Sequence, residues 1–153
     1  MTGPVARQDG HRRVVYPPMP ELTDNTRFFW EGAARRELLI LRCQDCGYYV
    51  HPPRPICRRC LSVNMTPERV SGLGTLYTYT VSVAAYHPYW TDKVPFVLAV
   101  VELDEQPGLA VTTNIIDCPE KRLRVGLPVE VTFTDAAPGL TLPVFHPRSG
   151  AAG

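Results

Sequence analysis

The sequence predicts a mainly β protein with a short N-terminal helix, a small cysteine-held ribbon and a C-terminal barrel of five strands. Three observations carry that prediction. Two C-x-x-C pairs, Cys43/Cys46 and Cys57/Cys60, stand ten residues apart and can bring four sulfurs to one point. Sixteen of the 153 residues are proline, an excess that favours edges, turns and extended links over helices. From residue 68 onward, strand-length apolar segments alternate with turn residues and leave no room for crossover helices.

Bulk composition narrows the function classes. Hydrophobic residues make up 44% and charged residues 20% of the chain, a globular balance that suits one ordinary domain or two small modules. The net charge of +1 lacks the basic excess of a dedicated nucleic-acid binder. No apolar run approaches the ~18 residues of a membrane span, and the N-terminus has no signal-peptide apolar core, so no membrane role is expected.

Taken in order, residues 1–20 are polar, basic and proline-rich and read as a flexible or extended arm. Residues 21–67 are expected to form a helix plus the ribbon. Asp24 is the expected N-cap of a helix over residues 25–36. Phe28, Phe29 and Trp30 are too apolar to be left in water, and core packing and contact with a partner subunit both remain open for them. Residues 37–43 read as a strand entering the first cysteine knuckle, and residues 48–55 run back toward the second.

The spacing of the cysteines meets the demand of a tetrahedral metal. Two residues between each pair let both sulfurs face one centre at about 2.3 Å, the zinc–sulfur distance. Gly47 suits a knuckle that turns through positive φ. The reading is a rubredoxin-like zinc ribbon with ligands Cys43, Cys46, Cys57 and Cys60; two disulfides or a redox C-x-x-C are the alternatives. Four sulfurs leave no position for water, so the metal is expected to be structural. The thin ribbon core makes metal binding a large part of its folding free energy, on the order of 10–16 kcal/mol in zinc-finger peptides. Arg42, Arg54, Arg58 and Arg59 either balance the charge of the thiolates or bind phosphate. His51 reads as a packed or solvent-facing side chain, not a fifth ligand. Cysteines used as metal ligands point to a reducing cytoplasm.

Residues 68–148 supply the barrel, followed by a small-residue tail over 149–153. Residues 71–74, Ser-Gly-Leu-Gly, mark a turn or bulge. Residues 75–83 alternate Tyr77, Tyr79 and Val81 against Thr78, Thr80 and Ser82. Residues 96–103 are almost continuously apolar and are expected to be buried on both faces. Strands over residues 109–116, 126–133 (Val129, Val131 and Phe133 on one side) and 140–145 complete five, for which an OB-type barrel is the most economical closure. The link over residues 84–95 carries Tyr86, His87, Tyr89 and Trp90, which fits either a ligand- or partner-binding loop or a flap over the barrel mouth. Cys118 has no adjacent base or cation to activate it and reads as inert.

No catalytic set is expected. Nucleophile-elbow, phosphate-loop, dinucleotide and HExxH patterns are absent, and His11, His51, His87 and His146 are scattered. Glu102, Asp104 and Glu105 cluster at a hairpin tip and read as a solvated turn. Chemistry alone therefore indicates a binding module.

The order of motifs then carries a resemblance over about residues 17–148. It runs through Phe29-Trp30-Glu31-Gly32, the ribbon from Leu38 to Gly47, Pro53-Arg54-Pro55 and Cys57-x-x-Cys60. It continues through Ser71-Gly72-x-Gly74, Pro95 to Leu103, Thr113-Asn114-Ile115, Gly126 to Val131 and Leu142-Pro143. In these the chain resembles the bacterial and archaeal acyl-CoA-associated zinc-ribbon/OB-fold proteins, long catalogued as a domain of unknown function. The resemblance implies a subunit that does not react by itself. It would assemble, as a heterotetramer or larger, with a thiolase-superfamily enzyme (a thiolase, a hydroxymethylglutaryl-CoA synthase-like enzyme or a retro-aldolase of lipid or steroid metabolism). It would also help to hold the acyl-CoA thioester. Carried to this chain, Phe28, Phe29, Trp30, Tyr86, His87, Tyr89 and Trp90 become candidate contacts, and Arg54, Arg58 and Lys93 candidate cations for CoA phosphates. The competing readings are a single-stranded nucleic-acid binder stacking bases on Tyr77 and Tyr79, and an independent hydrolase using His87 or Asp92.

Overall fold

A computed structural model describes residues 14–150; the arm expected over residues 1–20 lies mostly outside the described residues. Within them the chain forms one α-helix and eight strands. These are α1 (Arg27–Ala34), β1 (Leu39–Cys43), β2 (Tyr49–Val50), β3 (Met65–Arg69), β4 (Leu73–Ser82), β5 (Phe96–Leu103), β6 (Ala110–Ile115), β7 (Pro128–Ala137) and β8 (Leu140–Pro147). The fold is mainly β, as expected: a short helix, a ribbon bearing four clustered cysteines, and a closed barrel of five strands.

The barrel is closed in the order β4-β5-β6-β8-β7. All its ladders are antiparallel except β6–β8, which pair in parallel at one register, Ile115 with Phe145. That order, with a single parallel contact closing the cylinder, is the Greek-key topology of an OB barrel. Its interior is filled from every strand: Leu76, Ala99, Val101, Val111, Val129 and Phe145 are all buried. Gly74 is needed where β4 passes between β5 and β7, because a Cβ there would lie 2.6 Å from the Glu102 carbonyl oxygen. The segment expected as a turn over residues 71–74 therefore ends inside β4.

Several local expectations change. The helix begins two residues later than expected, with Thr26 and not Asp24 at the N-cap position. The Thr26 hydroxyl is tied into the preceding turn, accepting from the Thr23 N–H at 3.0 Å and donating to the Glu21 carbonyl at 2.9 Å. The ribbon has three strands, not two, in the order β2-β1-β3. β3 was invisible because Met65-Thr66-Pro67-Glu68-Arg69 shows no apolar alternation; its five-residue pairing with β1 is held by the backbone. A bulge between Leu76 and Thr78 breaks the alternation of β4. It leaves Tyr77 62% exposed while Tyr79 packs against the core, so the two rings do not share a face. The outer side of β5 is not covered either: Ala99, Val101 and Leu103 point inward, whereas Leu98 is 43% exposed.

The helix and ribbon are bound to the barrel through one apolar cluster. Phe29 of α1 and Leu38 and Ile40 at β1 belong to the same buried cluster as the barrel residues, and α1 packs on both β8 and β1. Polar clasps reinforce the junction. The Gln106 side chain accepts from the Tyr49 N–H at 2.8 Å and donates to the Tyr49 carbonyl at 3.2 Å, filling a ladder position beside β2. Glu105 accepts from the Ser71 N–H, and Arg36 pairs with Asp135 at 2.7 Å. The hairpin acids stand in an exposed turn, as expected, and also brace it. Glu102 accepts from the Gly108 N–H at 2.9 Å and Asp104 pairs with Arg148 at 3.0 Å.

Candidate functional site

The four ribbon cysteines meet. Their sulfurs all lie within 4.8 Å of one another, with Cys43 and Cys60 at 3.6 Å and Cys46 and Cys57 at 3.7 Å. A tetrahedron with zinc–sulfur bonds of about 2.3 Å has sulfur–sulfur edges of about 3.8 Å, so the donor set fits zinc. Each C-x-x-C pair forms a knuckle closed by a backbone bond, Gly47 N–H to the Cys43 carbonyl at 2.8 Å and Leu61 N–H to the Cys57 carbonyl at 2.9 Å. Gly47 takes the expected positive φ of 73°, and its counterpart in the second knuckle is Leu61, at 62°.

Backbone N–H groups prepare the sulfurs for negative charge. The amide of Cys46 pulls the Cys43 thiol down to about 7. At Cys60 the Ser62 amide acts in the same direction, but the crowding thiols of Cys46, Cys43 and Cys57, together with burial, push the thiol up to about 12. Four mutually crowded thiols cannot all ionise on their own; a divalent cation makes the set self-consistent.

Three of the four arginines near the cysteines also take other partners. Arg42 donates from Nε to the Gly47 carbonyl at 3.1 Å and from one terminal nitrogen to both oxygens of Glu68 at 2.9 and 3.1 Å. It also lies over the Tyr49 ring. It thus fastens the first knuckle to β3, and its hydrogen bond holds the Glu68 carboxyl below the usual range. Arg58 and Arg59 both lie over the Tyr48 ring, at 5.5 and 5.9 Å. Arg54 is exposed.

The three helix aromatics divide. Phe29 is buried in the core, whereas Phe28 and Trp30 are half-buried against it. Phe29 meets Trp30 edge-on at 5.1 Å and His51 at 5.4 Å. Burial pushes His51 down to about 4, so it is neutral near pH 7. Since the unfolded side chain titrates near 6.5, the unfolded state binds more protons between pH 6.5 and 4, and stability falls as pH drops through that window. At pH 5 the His51 contribution is roughly 2 kcal/mol. Denaturation midpoints at pH 7 and pH 5 check this: the His51→Phe protein is expected to lose less stability than the parent, with acid effects on the cysteine site common to both.

The loop over residues 84–95 also divides. Pro88–Trp90 is a turn of 3-10 helix capped by His87, whose Nδ1 accepts from the Tyr89 N–H at 3.2 Å. Trp90 stacks on Phe96 at 4.6 Å, and Tyr89 meets Trp90 edge-on at 5.0 Å. Lys93 sits over the Tyr89 ring at 4.0 Å and also holds the Tyr89 carbonyl and Asp92. This half of the loop is folded onto the barrel, while Tyr86 is 92% exposed. Lys93 is thus held within its loop, and Arg54 and Arg58 stand exposed on the ribbon. Cys118 is raised by burial, in keeping with an inert thiol. Tyr79, one of the two expected stacking rings, spends its hydroxyl on the Leu123 carbonyl at 3.2 Å.

Sequence reasoning missed the tip of the ribbon. Leu61 and Val63 are 76% and 75% exposed, and Ile56 beside Cys57 is nearly half exposed. The one available signal was a leucine and a valine following the last cysteine with no alternating partner strand.

Comparison with known proteins places these features in context. Residues 30–66 match the family described as the ChsH2 rubredoxin-like zinc ribbon domain, and residues 67–134 match the ChsH2 C-terminal OB-fold domain. A probable enoyl-CoA hydratase alpha subunit of Thermomonospora curvata is 36% identical over 130 residues, covering 85% of this chain and 40% of the relative. This chain therefore spans about two fifths of that protein's length. A DUF35 domain-containing scaffold protein of Methanocaldococcus jannaschii is 35% identical over 68% of this chain and 73% of its own. Among solved structures, a chain of an Ltp2-ChsH2(DUF35) aldolase superposes with a TM-score of 0.77 at 35% identity. The superposition covers 84% of this chain and 98% of that one.

Proposed function

The chain belongs to the ChsH2-type DUF35 family of zinc-ribbon/OB-fold proteins, and from that membership we propose that it is a non-catalytic accessory subunit of a thiolase-superfamily enzyme acting on acyl-CoA thioesters. The observation that carries the reading is the aldolase likeness: one fold at 35% identity, spanning nearly all of a chain in a structure named for two components. The hydratase alpha subunit name of the Thermomonospora relative supports a place in acyl-CoA chemistry.

In this reading zinc, held by Cys43, Cys46, Cys57 and Cys60, supplies structure and no chemistry, since four sulfurs fill its coordination sphere. The protein's own residues then do two things. The rigid ribbon, fixed to the barrel through Phe29, Leu38 and Ile40, presents Ile56, Leu61 and Val63 to the partner. The barrel face with Tyr86 lies beside the partner's entrance and contributes to holding the thioester. The partner supplies nucleophile and bases. Membership disfavours the nucleic-acid reading, as does the net charge of +1.

Leu61 gives a direct test. A non-glycine residue at positive φ costs about 1–2 kcal/mol, a cost asparagine largely avoids, and an exposed strained leucine is a sign of a contact surface. Leu61→Asn is expected to leave stability unchanged or slightly raised while weakening partner binding about tenfold, or ~1.4 kcal/mol. Size-exclusion chromatography with light scattering, on the chain mixed with a thiolase-superfamily enzyme from the same organism, reads both the complex and its loss. A parent chain that stays monomeric beside that enzyme would contradict the proposal.

A further inference from the structure

A pocket lies away from the ribbon tip and the exposed half of the loop, where α1, the ribbon and the barrel meet. It has a volume of about 280 Å³, near the lower end for small-molecule sites. Phe29, Trp30 and Pro53 form one side and Val111, Leu142 and Val144 the other. The gap exists because β6 and β8 pair only at Ile115 and Phe145 and stand apart beyond that point. Its lining is apolar apart from Thr26, Thr112, Thr113, Asn114 and His51. Thr113 donates to the Pro143 carbonyl at 2.9 Å, and one N–H of the Asn114 amide goes to the Val97 carbonyl at 2.9 Å. The Thr26 hydroxyl is spent in the turn before the helix.

His51 is not spent. Its Nδ1 is buried and meets no partner. A buried N–H without an acceptor is rarer and costlier than an unmatched lone pair, so the ring proton belongs on Nε2. That nitrogen is the ring's one polar atom left with access to open space, and the Phe29 ring at 5.4 Å fixes the imidazole plane. Because the side chain is neutral near pH 7, it offers a hydrogen bond without attracting a counter-ion.

We propose that this pocket binds a compact apolar molecule bearing one hydrogen-bond acceptor, such as a carbonyl, with His51 Nε2–H as the donor. A carboxylate or phosphate does not fit, because no cation lines the cavity. A hydrocarbon fits the walls but leaves the imidazole unmatched. The site is a property of this chain alone and stands apart from the accessory-subunit reading, so its test contains no partner enzyme.

Trp30 lines the pocket and reports directly on it. The full zinc-loaded chain carrying Trp90→Phe has Trp30 as its single tryptophan, since the sequence holds two. It is titrated with 4-tert-butylcyclohexanone and, separately, with tert-butylcyclohexane. The ketone is expected to change Trp30 emission saturably and to bind at least tenfold more tightly than the hydrocarbon. Adding His51→Phe, which keeps an aromatic ring in place, is expected to abolish that preference, with the hydrocarbon binding at least as tightly once no imidazole is left unmatched. Zinc content and near-ultraviolet circular dichroism confirm that this variant is folded. Equal binding of the two probes, no change in Trp30 emission, or a preference that survives His51→Phe overturns the proposal. So does a Trp30 signal that responds only to an added protein, which would make the cavity a seat for a partner's side chain.

Discussion

Replacing Cys57 with serine is expected to reduce bound zinc from one per chain to near zero and to unfold the ribbon. A serine hydroxyl stays protonated near neutral pH and cannot complete a tetrahedron of thiolates. The magnitude follows from what the metal contributes. Zinc-finger peptides gain roughly 10–16 kcal/mol on binding zinc, far more than the short ladders of β1, β2 and β3 can supply. Cys57 is fully buried, so its loss also opens the second knuckle, where its carbonyl accepts from the Leu61 N–H. Metal analysis and thermal unfolding of Cys57→Ser and Cys46→Ser check this. A serine variant that keeps one tightly bound zinc and parental stability would refute the ligand assignment.

The second large effect belongs to Phe29. Truncation to alanine empties the point where helix, ribbon and barrel share one core, and such Phe→Ala changes cost about 3–5 kcal/mol. The loss is expected to exceed that of Phe28→Ala, because Phe28 is only half-buried. Zinc content should stay near one per chain, since the four sulfurs are held by the knuckles and not by the helix. Denaturant titration of the two variants decides it. A Phe29→Ala protein within about 1 kcal/mol of the parent would mean that α1 does not contribute to the core, against the packing described.

These two sites also mark what the sequence made legible. Cysteine spacing is a covalent-geometry constraint with few solutions, so both knuckles and the positive φ of Gly47 could be read directly. The barrel strands were legible because glycine and proline punctuate them. What escaped was set by tertiary structure. β3 is a strand because β1 offers it an edge, not because Met65 to Arg69 alternate. The bulge at Tyr77 turns two tyrosines that look equivalent to different environments. The arginines near the cysteines are close in sequence, but Arg42 is claimed by Glu68 across the sheet and Arg58 and Arg59 by Tyr48. Proximity in the chain pointed to the cysteines; the aromatic faces and the carboxylate that orient these side chains lie beyond what that proximity shows. Leu61 escaped because a leucine, unlike the glycine at the matching position 47, does not advertise a positive φ.

The proposed accessory-subunit account is tested most directly by acyl-CoA turnover measured three ways: this chain alone, a thiolase-superfamily enzyme from the same organism alone, and the two together. The account predicts no turnover by the zinc-loaded chain and a large rise in the enzyme's rate when the chain is added. That rise should be lost with Cys57→Ser and reduced with Leu61→Asn. Turnover by the isolated chain, or a partner rate indifferent to its presence, would contradict the account.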